Sequence, residues 1–134
     1  MTEILDSGPI DAETLAVRWL DGNPLYSVAN TRRAGDPLPF VLVQKIPGSA
    51  ENLEESTADD LIQLDILIDK QAGEDAARNI KDVVHRRMLL LGRTLEMEGS
   101  FDSMEVKESP HRWPYENDKV IRYTARYIFG QTYD

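Results

Sequence analysis

Cysteine is absent from the 134 residues, so the chain forms no disulfide and offers no thiolate to a substrate or a metal. Histidine is nearly absent. His85 and His111 are the only two, and neither has a second histidine close by, which leaves no zinc-ligand spacing. The glycines are scattered, so neither a phosphate-binding loop nor a dinucleotide fingerprint is present. No nucleophile-elbow pattern occurs. No apolar run approaches the roughly 20 residues that a membrane-spanning helix needs. Basic residues are outnumbered 15 to 24, and the net charge of −9 argues against general binding to nucleic-acid backbone or docking on anionic membranes. The opening Met-Thr-Glu-Ile-Leu-Asp lacks the basic and apolar regions of a secretory signal, so synthesis in the cytosol is the expectation. No catalytic centre, cofactor or metal is expected.

A chain of this length fits a single domain over 1–134, and its 41% hydrophobic content suits a packed core. The organising stretch runs from Asp59 to Leu91. Ile62, Leu64, Ile66 and Ile68 alternate with Leu61, Gln63, Asp65, Leu67 and Asp69, the period of a strand with one apolar and one wetter face. The period then changes. Ala76, Ile80, Val83, Val84, Met88 and Leu91 recur at spacings of three and four, one stripe of a helix. Asp69 reads as its N-cap, Arg86, Arg87 and Arg93 suit its C-terminal end, and Gly92 reads as the glycine that closes it.

Around this stretch, residues 1–10 read as an arm. Asp11 caps a first helix carrying Ala12, Leu15, Ala16 and Trp19 on one face, and Gly22 and Pro24 end it. Leu25–Thr31 reads as a short strand and Arg32–Pro37 as a turn. Residues 39–46 read as a strand that pairs with 58–69 across an acidic loop. Residues 94–98 and 104–108 read as short strands. Ser109–Pro114 reads as irregular because of its two prolines, and 118–130 as the last long strand. The expected fold is α+β: a mostly antiparallel sheet of about four strands, two helices on one face, and long loops at 47–58 and 99–117.

The second sheet face draws attention as a candidate interface. Asp65 and Asp69 share it with Arg122 and Arg126, where opposed charges on neighbouring strands stabilise, and with the aliphatic Leu61 and Ile128. A face that mixes aliphatics with matched charges suits a partner subunit. The loop Ser49–Thr57 adds Glu51, Leu53, Glu54 and Glu55. It lacks the apolar residues to offset its own ordering, which suits a segment that orders only in an assembly.

Several features together resemble a known family. They are the N-terminal helix, Leu38-Pro39-Phe40-Val41-Leu42-Val43 running into Ile46-Pro47-Gly48, the acidic loop, the alternating strand Leu61–Asp69, and a helix with Ala72 and Ala76 early. Pro110, Trp113-Pro114-Tyr115 and Arg122-Tyr123-Thr124-Ala125-Arg126-Tyr127 complete the pattern. Over nearly its whole length the chain is similar to the tail terminator proteins of long-tailed bacteriophages, in particular the actinobacteriophage type. The resemblance implies a structural virion protein: a homohexameric ring at the head-tail junction that caps the tail tube and ends its growth. Its partners would be further copies of itself, the major tail tube protein and the head-completion or connector proteins. Genomic double-stranded DNA would pass through the lumen without specific binding. Two alternatives stand beside this: a head-completion or stopper connector, and, from another class, a small cytosolic α+β enzyme or ligand-binding domain.

Overall fold

The structure, a computed structural model, describes residues 11–33, 35–46, 51–52, 57–98 and 103–132, with backbone alone at 51, 52, 57–59, 95–98, 131 and 132. The expected arm at 1–10 lies outside the described residues.

Helix α1 (Ala12–Leu20) begins where the Asp11 carboxylate accepts the Thr14 N–H at 2.7 Å, which satisfies one of the helix's orphan donors. It buries Ala12, Leu15, Ala16 and Leu20. Trp19 lies at the flank of the core, where its indole N–H donates to the Arg87 carbonyl at 2.7 Å. Arg87 in turn donates to the Trp19 carbonyl at 2.8 Å, which ties the two helices together.

Five strands form a mixed sheet in the order β1 (Ser27–Ala29), β2 (Phe40–Lys45), β4 (Thr57–Asp69), β6 (Val120–Thr132), β5 (Ser103–Trp113). The two-residue β3 (Glu51–Asn52) adds to β4 beyond the end of β2. The architecture is α+β as expected, but the sheet has five main strands rather than four, and β1 runs parallel to β2. The parallel pair arises because the Arg32–Pro37 segment does not make a hairpin. The Asp36 carboxylate accepts the Arg33 N–H and the Arg33 carbonyl accepts the Asp36 N–H, which closes a local loop before the chain returns alongside β1. The expected β2–β4 pairing is present, with Phe40 opposite Leu67 and Lys45 opposite Ile62.

Helix α2 (Glu74–Glu98) overrides two expectations. Asp69 caps a separate 3-10 turn, Lys70–Ala72, by accepting the Gln71 N–H, and Gly73 at φ +96° breaks that turn from α2. The helix then runs through Gly92 and through 94–98, which the sequence suggests as a strand. Gly92 is a packing glycine: a Cβ there would lie 2.9 Å from Met104 Cε on β5. With the helix this long, Arg86, Arg87 and Arg93 sit before its last turn, where no basic residue lies. Ala77 rather than Ala76 is buried, with Ile80, Val84, Met88 and Leu91.

The 99–117 loop is mostly strand. β5 passes straight through Pro110 as the sheet edge, with register shifts between Val106 and Glu108 and between Glu108 and His111. Proline is tolerated there because an edge strand has one side without ladder partners and a bulge already interrupts pairing.

Residues of both helices join one hydrophobic cluster with Val41, Val43, the four alternating positions Ile62, Leu64, Ile66 and Ile68, and the odd-numbered Ile121–Phe129. The expected core set Ile62, Leu64, Ile66, Ile80, Val84, Tyr123 and Tyr127 is buried together in it. The other sheet face has no helix on it among the described residues.

Candidate interface on the helix-free sheet face

Strand pleat decides what this face displays. Gln63, Asp65 and Leu67 of β4 stand beside Arg122, Thr124 and Arg126 of β6, whose pairing runs in register over thirteen residues of each strand. Glu108, His111 and Trp113 pair with Arg126, Thr124 and Arg122, so they belong to the same face.

Asp65 is the hub. It is 7% exposed and accepts from Arg122 Nε at 3.1 Å, Thr124 Oγ1 at 2.9 Å and Gln63 Nε2 at 3.2 Å. Arg122 Nη2 completes a two-pronged ion pair at 3.1 Å. The Arg122 and Thr124 contacts converge on Oδ1, and the Gln63 amide reaches Oδ2. Such a group holds β4 and β6 together. Arg126 donates to Gln63 Oε1 at 3.0 Å and pairs with Glu108 at 3.3 Å, so the network continues across β6 to the edge strand. At one end Phe40 and Leu67 are buried opposite each other, and the Arg32 guanidinium lies over the Phe40 ring at 5.7 Å. At the edge Trp113 is half exposed and meets His111 edge-on at 5.5 Å.

The structure therefore brings Asp65, Arg122 and Arg126 together, as their spacing suggests, but joins only Asp65 with Arg122 directly. Asp69 is exposed at the far end and caps the 3-10 turn. Leu61 and Ile128 are half-buried opposite each other, and the Leu61 carbonyl accepts the Ile46 N–H. Of the loop, Glu51 pairs through its backbone with Ala58, so this connection contains a strand. Leu53, Glu54 and Glu55 lie outside the described residues, as does any ordering of that loop. Sequence reasoning misses Gln63 and Thr124, although their parity with Asp65 and Arg122 is a usable signal. Glu108, His111 and Trp113 carry no such signal, because the prolines around them mask a strand.

Two depressions lie on this face. One, of about 440 Å³, is lined by Arg32, Leu42, Gln44, Leu67 and Tyr115 around Asp65 and Arg122. The other, of about 190 Å³, lies between Trp113 and Arg126. A third, of about 590 Å³, sits at the end of the sheet among Asp69, Lys70, Asn117 and Lys119. Among the described residues, no group of three or more His, Asp or Glu side chains is arranged to hold a metal, and no helix is long and apolar enough to cross a membrane.

The helix layer holds the other notable polar contact. His85 Nδ1 is 2.8 Å from the hydroxyl of Tyr127, which is fully buried in the core. Burial pushes the Tyr127 phenol well above its usual range and lowers the His85 imidazole, with Asp82 opposing and Lys81 adding to the latter. No protein-family model matches the sequence, and no curated protein matches it.

Proposed function

We propose that the chain is the subunit of a closed homohexameric ring, a structural protein of the kind that caps the tail tube of a long-tailed phage and forms the joining surface for the head. The observation that carries this reading is the helix-free sheet face. It is one broad side of a two-layer domain, cross-linked by the Asp65–Arg122–Thr124 network and edged by a half-exposed Trp113. A sheet normally buries both faces or exposes a polar one. Here the exposed Trp113 lies among paired charges, a composition that suits contact with another folded surface.

Charge supports the same reading. Six copies at −9 each make a strongly acidic ring, and acidic walls repel phosphate, so duplex DNA slides through such a lumen instead of adhering. A contact between unlike surfaces closes when its rotation fits a ring. An unlike axial top and bottom then stop growth where a tube subunit would extend it.

Native mass spectrometry and negative-stain imaging of the purified protein, alone and with tail tubes, test the proposal. The expected result is a six-fold ring at one end of each tube, with tubes overlong when the protein is left out. A protein that stays monomeric at all concentrations and leaves tube length and tube ends unchanged refutes it.

A further inference from the structure

Between the end of β1 and Arg122, the helix-free sheet face sinks into the concavity of about 440 Å³. That volume falls within the range of roughly 300–1,000 Å³ usual for small-molecule sites. Strand pleat builds the floor. Leu42 of β2 pairs with Asp65 of β4, and Leu67 shares their face, so two aliphatic side chains lie beside one carboxylate. Arg32, just past the end of β1, forms one wall. Arg122 of β6 and Tyr115 form the other. Asp65 is the one acidic residue in this lining.

The two guanidiniums differ in what they meet. Arg122 is neutralised by Asp65 through Nε and Nη2, both at 3.1 Å. Arg32 makes no ion pair among the described residues. Its Nη2 donates to the Asp36 backbone carbonyl at 2.9 Å, and its guanidinium lies over the Phe40 ring. Its Nε is closed off from solvent and has no hydrogen-bond partner. The Asp36 carboxylate does not serve Arg32, since it accepts the Arg33 N–H at 2.8 Å. Glu13 is committed as well, to the Asn30 amide and the Lys45 N–H. The concavity therefore carries one surplus positive charge in a chain of net charge −9. A fully exposed arginine needs no anion, because water solvates it. Arg32 is part-buried and has lost some of that water. Phe40 beneath it is buried, so the guanidinium is positioned before any ligand arrives.

We infer that this concavity binds a singly charged carboxylate on a small apolar body, with Arg32 as the partner of the anion and Leu42 and Leu67 beneath the body. The site does not depend on the ring proposed above. Charge sets the class of ligand. One surplus cation matches one negative charge, whereas a phosphate dianion would bring a second charge towards Asp65. The planar guanidinium suits a carboxylate in geometry as well. The volume leaves room beyond the carboxylate, and the aliphatic floor with the Tyr115 wall favours hydrocarbon there. The same chemistry is offered by a free organic acid and by an acidic side chain of a neighbouring copy.

Phenylacetate is the probe, titrated into the full chain by calorimetry, with phenylacetamide and inorganic phosphate as comparisons. Phenylacetate should bind at a single site, and the other two about tenfold more weakly or less. Arg32→Gln, checked for folding by thermal melts, should weaken phenylacetate binding about tenfold, and Leu42→Gln should weaken it too. Native mass spectrometry with and without phenylacetate separates the two sources. An unchanged set of oligomers assigns the site to a free acid. Oligomers that disperse in phenylacetate and in Arg32→Gln assign it to an acidic side chain of a neighbouring copy. The inference is overturned if phenylacetate neither binds saturably nor disperses oligomers, if phenylacetamide binds as tightly as the acid, or if a folded Arg32→Gln keeps full affinity. None of these results decides whether copies close into a ring on a tube end, which keeps its own test.

Discussion

Truncating Asp65 to alanine separates a structural network from a surface decoration. Asp65 accepts from three side chains, and its ion pair with Arg122 leaves the carboxylate side chain 10% and the guanidinium side chain 22% exposed. Removing one partner of a fully buried pair costs about 3–5 kcal/mol, because the other charge stays buried without compensation. Arg122 retains some water and a long 3.4 Å bond to the Pro114 carbonyl, which places Asp65→Ala at the low end, about 3 kcal/mol. For a domain of this size that corresponds to a fall in Tm of roughly 10 °C. Asp65→Asn keeps an acceptor for Thr124 and should lose about half as much. A double-mutant cycle of Asp65→Ala with Arg122→Met, followed by urea unfolding, should return a coupling of about 1–3 kcal/mol. A loss under about 0.5 kcal/mol for Asp65→Ala, or additive losses in the cycle, would mean that water already solvates this cluster, and the reasoning fails. The same geometry implies that Arg122→Glu damages the fold itself, by setting two carboxylates together.

Three further outcomes are expected. Ile66 is fully buried between the sheet and the helix layer, so Ile66→Ala should cost about 2–5 kcal/mol in urea melts, and a loss below about 0.5 kcal/mol would put the wrong face inward. Gly92→Ala gains about 1 kcal/mol of helix propensity and needs only the flexible end of Met104 to shift, so stability should stay level or rise slightly; Gly92→Val should lose stability, with Met104→Ala recovering part of it. Because burial lowers the His85 pKa in the folded state, the unfolded chain binds the extra proton first, and stability should fall as pH drops below the ordinary imidazole value of about 6.5. His85→Phe should flatten that part of the stability-pH curve, and an unchanged slope would show that His85 is not its source.

The sequence alone determined the features that local periodicity and capping control. The alternation of Ile62, Leu64, Ile66 and Ile68, the stripe through Ile80, Val84 and Met88, and the Asp11 cap each repeat a geometry within a few residues, so the core is legible before any pairing is known. Absences are legible too, since cysteine chemistry needs cysteine. Tertiary structure decided whatever depends on a distant neighbour. Gly92 reads as a helix stop in isolation, and only Met104 packed against it makes it an interior position. Pro110 reads as a breaker, and only its place on the sheet edge lets β5 continue past it. Asp65 and Arg122 share a face by parity, but register across β4 and β6 chose which charges meet, joining Arg122 to Asp65 and turning Arg126 to Gln63 and Glu108. Local rules act through φ, ψ and side-chain period within one element, whereas pairing, packing and edge position are set by residues far along the chain.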